Sequence, residues 1–329
     1  MRIVVTGGAG FIGSAVAARL VADGHEVTVA DLRPPGEGRD GDPSDHVPVR
    51  HVTGDLRSND VLEEAVGPGT DAVAHLAAAT SVLASVKDPV GVYRSNVELT
   101  QSLLERCRQI GAGRLAFAST NAVVGSAGED TVIDENSPLR PLTPYGATKA
   151  AAESLICAYR SAYGVAGTSL RLTNVYGPGV WVKDGMVARL LRAARSGGGV
   201  SIYGDGRQVR DYVYLEDVVD AFVAALTGDL PPVLIVGSGH SVDVLELHRL
   251  AGEASGSDVA REHIEGPPGE MRAVVVDRSL ARDSGLPDPV ELHDGLVRTW
   301  KAWPAAGADG PRPPLTPTPP PARPTPPRR

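Results

Sequence analysis

Cysteine, basic charge and long apolar runs are all scarce in this chain, and each shortage closes off a class of function. Only Cys107 and Cys157 stand in 329 residues, each inside a stretch of helical composition. Such positions suit a small buried apolar residue rather than a disulfide or metal ligand, so no metal centre is expected. Lys and Arg number 32 against 40 Asp and Glu, a net charge of -8. With no dominant basic cluster to neutralise phosphates, no nucleic-acid partner is expected. No apolar run approaches the roughly 20 residues that span a bilayer. Met1 leads directly into a buried-strand pattern, not into the charged and apolar regions of a signal peptide. Neither a membrane nor export is expected, and the expected location is cytoplasmic.

The length exceeds that over which a single core usually grows, so two lobes meeting at a cleft are expected. Arg2 to Thr6 is a short β-branched run. Glycines follow, then Ser14 to Ala22 with helical spacing, a stop at Gly24, and a second strand over Glu26 to Asp31. The rhythm repeats, with strands expected over 49–52, 72–76, 114–119 and 167–172 and helices over 61–65, 90–109 and 145–163. This alternation argues for an α/β fold, a doubly wound parallel sheet of Rossmann type with a smaller α/β substrate-binding lobe. The expected division gives 1–175 to the sheet domain, with a return segment at about 208–240 that includes one more strand after Pro231. Residues 176–207 and 241–303 then form the second lobe. From 304 to 329 proline, arginine, threonine and glycine dominate, and a disordered or polyproline II tail is expected.

Gly7, Gly8, Gly10 and Gly13 lie between the first strand and the first helix. Glycine there lets the backbone turn tightly, admits a pyrophosphate with no Cβ in the way, and leaves helix N-terminal amides for the anion. Asp31 ends the second strand, where a carboxylate accepts hydrogen bonds from ribose hydroxyls and repels a 2'-phosphate. NAD is therefore expected in preference to NADP, with Arg33 the one neighbour pointing the other way.

The spacing of Gly7, Gly10 and Gly13 resembles the short-chain dehydrogenase/reductase superfamily, in its extended, nucleotide-sugar-modifying branch. The likeness continues through Gly54-Asp55-Leu56, His75-Leu76-Ala77-Ala78, Asn96, Tyr145-Gly146-Ala147-Thr148-Lys149, the segment from Arg171 to Gly179 and that from Gly204 to Asp211. It thus runs to about Trp303. The resemblance implies a cofactor site of Gly7, Gly10, Phe11, Ile12, Gly13 and Asp31, with Asp55 and Leu56 against the adenine and Leu76, Ala77, Ala78 and Asn96 along the cofactor. It further implies that Tyr145 exchanges the proton of a sugar hydroxyl, that Lys149 bonds the nicotinamide ribose, and that Thr120 completes the triad, with Ser119 structural. Members commonly dimerise through helices that here include 90–109 and 145–163, so a homodimer is expected.

Tyr145 and Lys149 are four apart and share one helix face. A tyrosine with a reference pKa of about 10 is a poor base at neutral pH, so the site has to favour the phenolate. An ammonium and a nicotinamide cation, each about 6 Å away at an effective dielectric near 20, would supply roughly 3 kcal/mol apiece. The next residues separate reaction types. Nucleotide-sugar 4,6-dehydratases carry an Asp-Glu pair after the triad Thr, and UDP-glucuronate decarboxylases place Glu at the second of these positions. This chain has Asn121 and Ala122. Epimerisation at carbon 4 needs neither carboxylate, since hydride leaves and returns at one carbon. Val124 stands where the family usually has Tyr, which implies an altered pocket wall.

By resemblance Asn174 and Arg210 contact a substrate diphosphate, the planar guanidinium fork matching phosphate oxygens. Pro267 stands where many 4-epimerases have a second diphosphate-binding Arg, and Arg272 is the nearby replacement. The short stretch after Gly177-Pro178-Gly179 is similar to that of hexuronate epimerases. Arg192, on the following helix ahead of Arg189, is the expected partner of a sugar carboxylate. The expectation is a UDP-glucuronate 4-epimerase. UDP-glucose/UDP-galactose epimerase, keto-sugar reductase and non-catalytic dinucleotide-binding protein stay open as alternatives.

Overall fold

The computed structural model describes residues 1–34, 49–125, 132–266 and 272–304. In chain order the strands are β1 (Arg2–Thr6), β2 (Glu26–Asp31), β3 (Arg50–Thr53), β4 (Ala72–His75), β5 (Arg114–Thr120), β6 (Val132–Ile133), β7 (Ala166–Leu172), β8 (Asn174–Tyr176), β9 (Gly199–Tyr203), β10 (Val209–Tyr214), β11 (Val233–Val236), β12 (Ser241–Asp243), β13 (Ala260–Ile264) and β14 (Val275–Val276). The helices are α1 (Phe11–Ala22), α2 (Asn59–Ala65), α3 (Val82–Lys87), α4 (Pro89–Tyr93), α5 (Leu99–Ile110), α6 (Pro144–Tyr163), α7 (Met186–Ser196), α8 (Leu215–Thr227), α9 (Val244–Ser255), α10 (Ser279–Asp283) and α11 (Leu292–Lys301).

Seven strands form one sheet in the order β11-β7-β5-β4-β1-β2-β3, every neighbouring pair parallel. β4 is buried along its whole length, as a strand covered on both faces must be. One face packs Ile3 and Val5 against α1 and α8, and the other packs Val4, Val73 and Leu115 against α2, α5 and α6. Cys107 is fully buried in the second layer, whereas Cys157 is exposed, against expectation. Strand order reverses between β1 and β4, which opens a crevice at their carboxyl ends.

The second lobe joins β8, β10 and β12 in a small sheet and β9 with β13 in another, beside α7, α9 and α11. The segment expected to return at 208–240 divides. β10 belongs to the small sheet, while α8 lies on α1 and β11 pairs with β7. The helix expected over 90–109 runs from Pro89, under an Asp88 cap, to Ile110 with helical backbone throughout, and a π-helical turn at Arg94–Glu98 joins α4 to α5. Beyond Pro304 the expected tail lies outside the described residues, as does Pro267. Among the described residues no helix is long and apolar enough to cross a membrane.

Candidate active site

A cleft of about 530 Å³ opens at the crevice, a volume typical of cofactor and substrate sites. Gly7 adopts a left-handed φ of 70°, and a Cβ there would stand 2.7 Å from the Ala77 amide nitrogen. The turn therefore reaches the β4 exit only without a side chain. A Cβ on Gly13 would run into the Gly7 carbonyl, so α1 sits directly on the turn. That helix starts at an extended Gly10 with no capping side chain, and Gly10, Phe11, Ile12 and Gly13 form cleft wall. Free amides over a glycine cradle fit a dinucleotide pyrophosphate.

Asp31, Asp55 and Leu56 line the same cleft. The Asp31 carboxylate accepts from the Ala9 amide at 3.1 Å and the Arg33 amide at 3.1 Å, and the Arg33 side chain donates to the Ala9 carbonyl. Asp55 is held by Arg57 at 2.6 Å, and hydrogen bonds from that guanidinium keep its carboxyl below the usual range. Leu76, Ala77 and Ala78 line the cleft as expected, but Asn96 does not. Its buried amide brackets Ala79, accepting from the main-chain amide at 2.8 Å and donating to the carbonyl at 3.1 Å, and also donates to Thr148 Oγ1 at 3.0 Å. The π-helical turn carries Asn96 to this job, so it shapes the cofactor wall from behind.

His75, just before that wall, is buried in a chain of hydrogen bonds. Thr6 Oγ1 accepts from the Ala77 amide at 3.2 Å and meets His75 Nδ1 at 2.8 Å, and His75 Nε2 meets Thr100 Oγ1 at 3.0 Å. Because Thr100 donates its own proton to the Asn96 carbonyl at 2.6 Å, the consistent assignment has Nε2 donating and Nδ1 accepting. Burial, with Lys149 adding to it, pushes the imidazole down to about 3, so the ring is neutral.

The reacting end joins β5 to α6. Thr143 caps α6 by accepting from the Gly146 amide at 3.2 Å, and Pro144 occupies its first turn. A Cβ on Gly146 would lie 2.7 Å from the Ala122 carbonyl, so this glycine lets the helix start press against the Thr120 turn. Thr120, Tyr145 and Lys149 thus all line the cleft, with Thr120 Oγ1 accepting from the Ala122 amide at 3.2 Å and its hydroxyl close enough to the Tyr145 phenol to favour the phenolate. Burial pushes that phenol up against the opposing pull of Thr120. Lys149 is buried too, donates from Nζ to the Ala118 carbonyl at 2.8 Å and lies 4.5 Å from the Phe117 ring centre. Burial pushes its ammonium down to about 7, with Glu153 opposing. The expected lowering of Tyr145 by this lysine is therefore not supplied by the protein alone.

On the substrate side the expectations fare unevenly. Asn174 donates to the Asp211 carbonyl at 2.8 Å, and Arg210 donates to the Val209 carbonyl at 2.9 Å. The Arg272 carbonyl accepts from the Val209 amide at 2.8 Å, which sets Arg272 beside the strand that carries Arg210, though neither lines the cleft. Arg192 does not face the cleft either. Its guanidinium donates to the carbonyls of Trp181 at 2.9 Å and Lys183 at 3.2 Å, while Arg189 pairs with Asp184 at 2.8 Å. Val124, where the family usually has Tyr, is buried in the small core with Ile133, Ile235 and Val276 and is not among the residues that line the cleft.

A model of the NAD dependent epimerase/dehydratase family matches residues 3–237. The chain belongs to that family. It is similar to the UDP-glucose 4-epimerase of Thermus thermophilus in complex with NAD, at 36% identity and a TM-score of 0.83 over 92% of this chain and 98% of that one. A UDP-glucuronic acid 4-epimerase variant from Bacillus cereus, in complex with UDP-4-deoxy-4-fluoro-glucuronic acid and NAD, matches at 28% identity and a TM-score of 0.83 over the same shares. The trifunctional UDP-glucose 4,6-dehydratase/UDP-4-keto-6-deoxy-D-glucose 3,5-epimerase/UDP-4-keto-L-rhamnose-reductase of Arabidopsis thaliana is 33% identical over 309 residues, 91% of this chain and 46% of that protein. The chain spans about half that protein's length.

NAD is the cofactor of this enzyme, and the glycine cradle with Asp31 on the cleft wall fits such a group. Sequence reasoning missed Lys183, which lines the cleft and whose carbonyl Arg192 holds. It also missed Asp211, whose buried carboxylate accepts from Thr173 Oγ1 at 2.7 Å, the Ser238 amide at 2.9 Å, Ser238 Oγ at 2.8 Å and the Gly239 amide at 2.8 Å. The signal for Asp211 was its place beside Arg210 in an apolar strand, where an acid needs several donors to be buried.

Proposed function

We propose that the enzyme is a UDP-sugar 4-epimerase with UDP-glucuronate as substrate. One observation carries the epimerase reading. Thr120, Tyr145 and Lys149 converge, while the carboxylates among the described cleft-lining residues, Asp31 and Asp55, sit at the cofactor end. A dehydratase needs an acid and a base beside the sugar, and Asn121 and Ala122 supply neither. In this reading Tyr145 takes the proton from the carbon-4 hydroxyl and returns it after the keto sugar has turned over, and Thr120 relays it. Lys149 orients the nicotinamide ribose and adds positive charge beside the phenolate. Bound NAD supplies the oxidising and reducing equivalents for carbon 4.

The uronate reading rests on Lys183, the cation at the cleft wall of the second lobe, in place of Arg192. A neutral hexose is the second reading, favoured by the engagement of Arg192 with main-chain carbonyls. Purified enzyme incubated with UDP-glucuronate and UDP-glucose separates them by product identification. Turnover of UDP-glucose equal to or better than UDP-glucuronate refutes the uronate reading, and 4-keto-6-deoxy product in place of the 4-epimer refutes epimerisation. Tyr145→Phe should lower kcat about 10²- to 10⁴-fold with NAD retention unchanged. The assembly is proposed to be a homodimer, in which a second copy covers exposed Leu83, Val86, Val90 and Tyr93.

A further inference from the structure

Behind the reacting side chains lies a buried ion pair. Arg171 on β7 meets Glu153 on α6 through Nε at 3.1 Å to Oε1 and Nη2 at 2.9 Å to Oε2, and both side chains are 4% exposed. Ser119 Oγ donates to the same carboxylate, and Arg171 Nη1 donates to the Glu135 carbonyl at 3.1 Å. Ser119 precedes Thr120 on β5, and Glu153 follows Lys149 by one helical turn on the same face as Tyr145. A charge pair this deep contributes little net stability compared with apolar residues of like volume, so its placement calls for another account.

We propose that Glu153 and Arg171 are positioning residues of the catalytic centre, locking the Ser119-Thr120 strand end to α6 and setting a negative charge one turn from Lys149. The inference rests on reading Lys149 as part of that centre. The ionisable groups around Lys149 are Tyr145 and Glu153 on its own helix, His75 on β4 and Arg171 on β7. Among these Glu153 is the carboxyl group, and it offsets the burial that disfavours the ammonium. Arg171 and Ser119 hold that carboxylate in place.

The chain has four lysines, Lys87, Lys149, Lys183 and Lys301, so selective ¹³Cε-lysine labelling gives a short NMR spectrum in which Lys149→Met identifies one signal. In NAD-loaded protein, Glu153→Gln with Arg171→Gln, which removes both charges together, should lower the titration midpoint of Lys149 by about one pH unit or more. Glu153→Asp keeps the charge and should leave it within about 0.3 unit. An unshifted midpoint in the double variant overturns the proposal. So does a full downward shift in Glu153→Asp, which decides the matter if the double variant does not fold. The measurement uses no sugar, so failure of the epimerase reading appears separately, as absent turnover by the native enzyme.

Discussion

Acidification should unfold this enzyme through His75. In the native state the ring is sealed between Thr6 and Thr100 and held neutral, with its pKa pushed down from 6.5 to about 3. An unfolded chain protonates near 6.5, so between pH 6.5 and 3 the unfolded state binds the extra proton and stability falls as pH falls. The stability is fully present above 6.5. Across the whole window the loss approaches about 5 kcal/mol, and between pH 7 and pH 5 it is about 2 kcal/mol. His75→Gln isolates this term, because a glutamine amide offers one acceptor to Thr6 and one donor to Thr100 without titrating. Denaturant unfolding of both proteins at half-unit pH steps, with NAD in excess, gives the difference directly. The native protein should lose about 2 kcal/mol more than the variant from pH 7 to 5. Parallel pH profiles would refute the neutral, sealed imidazole.

Asp211→Asn replaces an oxygen that accepts at least two donors with an amide nitrogen that accepts none, and should cost about 3 kcal/mol in denaturant unfolding while raising KM through Asn174. A loss under about 1 kcal/mol would show that the four donors find other partners. Leu83→Glu should shift the enzyme from dimer to monomer in sedimentation equilibrium, and a dimer of native affinity in that variant would rule this face out as the contact.

What was legible in the sequence was local. The turn at Gly7, the acid at Asp31 and the Tyr145–Lys149 pair each depend on neighbours within about one turn or one βαβ unit, and their backbone requirements are met only by particular residue types. The parallel sheet followed from the same local periods. The parts that escaped depend on partners far along the chain. Asn96 reads as a cofactor contact until a π-helical turn aims it at Ala79 and Thr148. Arg192 reads as a cation for the substrate until the Trp181 and Lys183 carbonyls take its guanidinium. β10 follows the apolar pattern of a sheet-domain strand, yet pairs with β8 and β12, because strand pairing is decided by competition among edges and not by composition.

Charge in the cleft is sorted by the same geometry that builds it. At the cofactor end Asp31 and Asp55 each accept from the amide of an arginine two residues on, at 3.1 Å and 2.9 Å, and that arginine's side chain closes back on the carboxylate. Hydrogen bonds from Arg57 hold the Asp55 carboxyl below its usual range, and both acidic side chains are fixed in place to accept hydrogen bonds. At the opposite end burial works against both ionised forms, raising the Tyr145 phenol and lowering the Lys149 ammonium to about 7. Among the described residues that line the cleft, the groups whose protonation burial perturbs are thus Tyr145 and Lys149, and the phenol is the one paired with a hydroxyl, that of Thr120. Such a pair can pass one proton to and from the same oxygen, but it offers no second acid to expel a hydroxyl. The arrangement therefore favours a reaction that ends at the carbon where it began.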